Sequence, residues 1–233
     1  MKVLVIAPHP DDDVLGCGGA IARHTAEGDE VHVLVMSKGM AEMYPPDLVN
    51  RTRAELREAH CILGVSGATF LDFPSPMLDT VPGYELADAV SSVVKAVEPK
   101  IMYLPHRGDL HIDHQVVYMA GLVAARPIDD CSVSRILSYE TVSETEWASP
   151  QGDGAFTPTV FVDITEHLDT KVEALSCIIS QLKAPPHTRS LDAIEALARF
   201  RGGTAGVAAA EAFVLVREIA RRTPEEVALP LAS

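Results

Sequence analysis

Residues 1–13 read MKVLVIAPHPDDD. Val3–Ala7 is a short, largely β-branched apolar run, and directly behind it stand His9, Pro10 and three aspartates, Asp11, Asp12 and Asp13. An apolar run without alternating polar positions fits a strand covered on both faces, as in parallel sheets flanked by helices. In open α/β sheets the crevice outside the carboxyl ends of the strands is where ligands bind. The polar cluster falls there.

The same pattern recurs outward from this stretch. Gly19–Glu27 reads as a helix, Val31–Met36 as a strand, Leu48–Leu63 as a helix stopped by Gly64, and Thr69–Phe73 as a third strand. A helix over Leu86–Val97 and a strand over Ile101–Leu104 follow. Strands alternating with helices in this way predict βαβ units. The expected fold is therefore α/β: a Rossmann-like, doubly wound, mostly parallel sheet with helices on both faces. A strand order of 3-2-1-4 makes the first and fourth strands neighbours at the topological switch point. Further strands are expected at Ser134–Tyr139 and Val160–Val162, with Ser143–Pro158 as a loop or hairpin. The last third reads as mostly helical, over Thr165–Leu182 and Leu191–Phe200; GGTAG at 202–206 breaks the pattern and ALPLAS forms a loose tail. With no internal repeat, residues 1–233 are expected to form a single domain.

Composition narrows the function. The chain carries 19 Lys and Arg against 33 Asp and Glu, a formal charge of −14. Such a surface repels a phosphate backbone and anionic lipid, so neither nucleic acid nor membrane is an expected partner. No stretch approaches the roughly 20 apolar residues of a membrane span, and the first apolar run is too short for a secretory signal. Cys17, Cys61, Cys131 and Cys177 contain no CxxC pair and read as free thiols of a reducing compartment, which makes the expected location cytoplasmic.

Two clusters carry the chemistry. In the first, His9 and three adjacent carboxylates would resist desolvation unless a cation or strong donors offset them; a helix N-cap accounts for one aspartate and leaves His9 unexplained. The nearby Gly16-Cys17-Gly18-Gly19 lacks the third small residue of a dinucleotide fingerprint, since position 21 is Ile21, and reads as tight helix packing. In the second cluster, His106, Asp109, His111, Asp113 and His114 follow the fourth strand. Across the crevice, two histidines and a carboxylate from separate loops make an open metal site. Zinc fits it, and ferrous iron is the chemical competitor. The surplus carboxylate and histidine are the parts that hydrolysis needs, to activate water and stabilise an oxyanion.

These residues also resemble a known family. APHPDDD at 7–13 is similar to the A-H-P-D-D-E signature of the LmbE-like, or PIG-L-like, zinc-dependent de-N-acetylases, and HIDH at 111–114 resembles their H-x-D-H signature. RTRAELREAHCILGV at 51–65, SQLKAPPHTRS at 180–190 and AAEAF at 209–213 also look similar, so the likeness touches nearly the whole chain. By position, it implies that His9, Asp12 and His114 bind Zn2+, that Asp11 is the general base, and that His111 stabilises or protonates the tetrahedral intermediate. It further implies that Asp113 orients a histidine and that Arg53, with Glu55 as its acidic neighbour, contacts substrate. The implied substrate is a small N-acetylated molecule, commonly an N-acetylglucosamine glycoside, and family members often form multimers, so a homo-oligomer is expected. Two departures stand out: Asp13 replaces the family's glutamate, and Phe73-Pro74-Ser75-Pro76-Met77 replaces a P-D-G turn.

The leading expectation is thus a zinc amidohydrolase that removes acetyl from an amino-sugar conjugate. The alternatives are a metal amidase on another N-acyl or S-conjugate, an Fe(II) oxygenase, and a binding module without catalysis. His106, Asp109, Tyr139, Trp147, Gln181 and His187 are further candidates to line the pocket, and His24, His32, His60 and His167 are read as structural.

Overall fold

A computed structural model of the chain describes residues 1–220. Seven strands form one sheet: β1 (Lys2–Ala7), β2 (Glu30–Gly39), β3 (Gly67–Ser75), β4 (Ile101–Pro105), β5 (Arg135–Tyr139), β6 (Val160–Asp163) and β7 (Ala210–Glu218), in the order β3-β2-β1-β4-β5-β7-β6. The first five strands are parallel, and β7 runs antiparallel to both β5 and β6. The expected 3-2-1-4 order is present, with β1 between β2 and β4.

The apolar run of β1 shows why the sheet is covered twice. Side chains of a strand alternate between faces. Val3, Val5 and Ala7 enter one core with residues of helices α1 (Asp12–Ala26), α2 (Pro46–Leu63) and α5 (Leu168–Cys177). Leu4 and Ile6 enter the other core, with α3 (Gly83–Val97) and α4 (Ile112–Ala124). All five are fully buried, so no position is left to be polar.

Three readings of the sequence need correction. Helix α1 begins at Asp12 rather than at Gly19, so the glycines lie inside it. They are there for closeness: a Cβ on Gly16 would stand 2.2 Å from the Tyr139 ring and 2.9 Å from the Glu140 carbonyl, and one on Gly19 would collide with Ile164. The last helix runs past Phe200: α6 (Leu191–Ala205) continues through Gly202 and Gly203 and is closed only by Gly206, the final residue of the GGTAG run, at φ +78. Ala210–Glu218, in the part read as helical, is strand β7; it pairs on both sides, and pairing, not local pattern, decides it. The ALPLAS tail lies outside the described residues. Among the described residues no helix is long and apolar enough to cross a membrane.

Candidate active site

The loop after β1 and the segment after β4 meet because their strands are hydrogen-bonded neighbours. The first delivers His9 and Asp11, with Asp12 in the opening turn of α1; the second delivers Asp109 and His111, with Asp113 and His114 in the opening turn of α4. Asp12 is the centre of the arrangement. Its Oδ2 accepts the backbone amide of His9 at 2.8 Å and lies 3.1 Å from His9 Nδ1 and 3.3 Å from His114 Nε2. Ligand atoms of His9, Asp12 and His114 all lie within 4.8 Å of one another.

Each imidazole is held from behind. Asp113 Oδ2 is 3.0 Å from His9 Nε2, and Asp109 Oδ2 is 2.8 Å from His114 Nδ1. The holders are anchored in turn: Asp113 Oδ1 accepts the amide of Leu78 at 3.0 Å, and Asp109 Oδ1 accepts the Thr145 hydroxyl at 2.6 Å. This leaves His9 Nδ1 and His114 Nε2 as the nitrogens facing Asp12. His114 Nε2 and Asp12 Oδ1 are buried without a hydrogen-bond partner. Buried polar atoms are normally satisfied, and imidazoles backed by carboxylates are the usual surroundings of metal ligands. The residues therefore fit a divalent cation. His9, His111 and Asp113 also cluster, but His111 Nδ1 and Asp113 Oδ1 are already engaged with the backbone amides of Asp113 and Leu78.

Electrostatics agree with the geometry. Burial opposes a charge on His9, but hydrogen bonds to Asp113 and Asp12 outweigh it and raise its pKa to about 9. Burial likewise opposes a charge on His114, and the Asp12 charge with the bond to Asp109 raises it to about 10. Asp12 goes the other way: burial disfavours its ionised form, yet His114 and His9 hold its carboxyl well below the usual range. Protons on two histidines thus balance the buried carboxylates in the absence of a cation.

Asp11 differs from Asp12. Its Oδ2 accepts from Arg189 Nη1 at 2.7 Å, and it borders a cavity of about 360 Å³. Burial pushes its carboxyl up, with Arg189 pulling it down. His111 borders the same cavity and caps α4, its Nδ1 accepting the Asp113 amide at 3.1 Å. That bond leaves the proton of the neutral ring on Nε2, and burial together with His9 lowers the His111 pKa, favouring the neutral form.

Arg53, on α2, also borders the cavity; its guanidinium donates to Asp72 at 2.7 Å and to the Ser37 carbonyl at 3.0 Å. Glu55 does not border it. It accepts the Ser180 amide at 3.0 Å and ties the segment after α5 to α2. Of the further candidates, only Gln181 borders the cavity. His106 is buried against the Gly154 carbonyl, the fully buried Tyr139 donates to the Ile6 carbonyl, Asp109 backs His114, and Trp147 packs on His187. Asp13 meets His60 at 2.6 Å in the core behind the site. Sequence reasoning missed Arg189 and Glu144, whose segments were read only as family-like tail and loop.

This site sits on a fold shared with known proteins. The profile of the PIG-L family, described as GlcNAc-PI de-N-acetylase, matches residues 4–125. An uncharacterized deacetylase of Escherichia coli K12, YaiS, is 33% identical over 182 residues, 74% of this chain and 88% of that protein. The diacetylchitobiose deacetylase of Thermococcus kodakarensis is 28% identical over 193 residues, 77% of this chain and 70% of that one. In three dimensions, GalB, the 4-carboxy-2-hydroxymuconate hydratase of Pseudomonas putida KT2440, superposes with a TM-score of 0.76 at 22% identity, covering 95% of this chain and 98% of that one. A hydratase on this fold shows that architecture alone does not fix the reaction. The match over half the chain, with YaiS beside it, defines the class: an N-deacetylase. The chain belongs to the PIG-L family.

Proposed function

We propose that the chain is a zinc-dependent hydrolase that removes the acetyl group from an amino-sugar-containing small molecule, an N-acetylglucosaminyl conjugate being the substrate class its relatives favour. The observation that carries the reading is the convergence of His9 Nδ1, Asp12 Oδ2 and His114 Nε2, with the far side of each ring tied to Asp113 or Asp109. A zinc ion held by these three residues supplies a Lewis acid and eases deprotonation of water near neutral pH.

The chain's own groups do the rest. Asp11 takes a proton from the attacking water as its oxygen adds to the acetyl carbonyl carbon. His111, neutral with its proton on Nε2, donates a hydrogen bond to the developing oxyanion, and the proton that Asp11 took passes to the departing nitrogen. The C–N bond breaks, releasing acetate and the free amine. Asp113 keeps His9 in register, and Arg53 presents N–H groups to the sugar at the cavity wall. The test is metal analysis of the purified protein combined with an assay of acetate release from N-acetylglucosaminyl glycosides. Stoichiometric zinc with metal-dependent release supports the reading. Oxygen consumption without acetate release would replace it with the oxygenase alternative.

A further inference from the structure

The cation at the heart of this site comes from a segment without any motif spacing to mark it. Arg189 lies just before α6, whose N-cap Ser190 accepts the Ala193 amide, and its own amide donates to His187 Nδ1 at 3.0 Å. The guanidinium is then spent on three partners. Nη1 donates to Asp11 Oδ2 at 2.7 Å, Nε donates to Ser143 Oγ at 2.7 Å, and Nη2 lies 3.9 Å from Glu144 Oε1. Among the described residues, no other lysine or arginine forms an ion pair with Asp11.

Ser143 is the second observation. It is buried, and it holds φ +73, a left-handed conformation that a non-glycine residue adopts only at a cost. Its amide is pinned by Glu146 Oε1 at 2.6 Å. Such strain survives where the surroundings over-determine it, and it gathers at functional sites. Here it turns the hydroxyl onto Arg189. The loop after β5, the segment before α6 and the loop after β1 are thereby linked in one chain of contacts, Ser143 to Arg189 to Asp11. Asp11 Oδ2 is taken, and no hydrogen bond among the described residues involves Oδ1.

We propose that Arg189 is a positioning residue for the amide hydrolysis, resting on the reading of Asp11 as its base: it fixes the Asp11 rotamer so that Oδ2 is bound and Oδ1 faces the reacting water, while the strained Ser143 fixes Arg189. A planar fork can hold Asp11 and Ser143 together, whereas a lysine ammonium cannot reproduce both contacts in that geometry.

The experiment compares wild type with R189A, R189K and S143A in their metal-loaded forms. Metal content, kcat and KM for an N-acetylglucosaminyl glycoside are measured, with and without added guanidinium chloride at low, non-denaturing concentration. Expected are a kcat for R189A lower by about 100-fold with KM within about threefold and metal content unchanged, and an intermediate loss for R189K. Guanidinium should restore R189A activity by about tenfold, which a packing role would not allow. Should R189A fail to fold, S143A, which deletes only the Nε acceptor, should still lower kcat by about tenfold; an unchanged kcat overturns the proposal. So does an R189A kcat within about threefold of wild type, or a loss that follows metal content and ignores guanidinium. A double-mutant cycle of R189A and D11N, read as urea midpoints of the metal-free protein, supplies a measure independent of activity. Coupling supports the contact, and strict additivity overturns it. A wild type that releases no acetate ends both this proposal and the proposed function, whereas acetate release without coupling ends this proposal alone.

Discussion

Asp109 Oδ2 accepts a hydrogen bond from Nδ1 of His114 at 2.8 Å, and this single bond decides which nitrogen of the ring faces Asp12. Without it the imidazole could flip or change tautomer, and the donor set would lose a member. Substitutions behind a metal ligand typically weaken binding by about 10- to 100-fold. D109N is expected to lower zinc affinity by that factor while leaving the fold intact, measured by competition with a chromophoric chelator. Unchanged affinity would show that α4 packing alone orients His114.

The histidine pKa values predict how the metal-free protein responds to pH. His9, at about 9, and His114, at about 10, both lie above the ordinary 6.5. A group whose pKa is raised by folding contributes stability that is complete below the unfolded value and is lost as pH rises through the folded one. Metal-free protein should therefore have a lower urea midpoint at pH 10 than at pH 6.5. Zinc binding at pH 7 should release about two protons, because both rings must be neutral to ligate. Titration calorimetry in buffers of different ionisation enthalpy measures that number, and zero release would contradict the assigned ligands.

In the proposed mechanism His111 acts on the reaction and not on metal retention. H111A is expected to lower kcat by about 10²- to 10³-fold, the size of a lost oxyanion donor, with zinc content unchanged. Parallel elemental analysis and steady-state kinetics separate the two effects.

Behind the site, Asp13 Oδ2 and His60 Nε2 are 2.6 Å apart with almost no exposure. Removing one partner of a buried pair leaves the other uncompensated, at about 3 kcal/mol or more. H60A should lower the melting temperature by about 6–12 °C in a chain of this size. A fall of only a degree or two would mean that water satisfies Asp13.

The glycine at the start of α1 has a steric reason. Ala at Gly16 would place Cβ 2.2 Å from the Tyr139 ring, so the helix or the ring must shift. Overpacking of this kind costs about 1–3 kcal/mol. Because α1 carries Asp12, G16A should also weaken zinc binding, whereas A26G, at the far end of α1, should reduce stability without changing zinc affinity. Thermal melts and zinc titrations of both variants test this.

The parallel half of the fold was legible because it is written in local pattern: Val3–Ala7 and Val31–Met36 are apolar on both faces, and Gly64 stops α2 at φ +72. Strand β7 was not legible. Ala210–Glu218 contains alanine, glutamate and arginine that suit a helix equally well, and only its pairing with β5 and β6 makes it a strand. At the site, His9, Asp12 and His114 stood out because titratable residues crowd two strand ends. Arg189 and Ser143 did not, since one arginine and one serine in polar segments carry no periodic or spacing signal.

By itself, then, the sequence determined the sheet's first six strands, the two clusters that close on each other across β1 and β4, and the chemistry those donors permit. Tertiary structure alone decided which nitrogen of each imidazole is held by Asp113 or Asp109, that Arg189 meets Asp11 across 178 positions of the chain, and that Glu55 is a tether and not part of the cavity wall. Strand pattern and residue type act over a few neighbouring positions. Orientation and pairing of side chains depend on contacts between distant segments, which exist only once the sheet has brought those segments together.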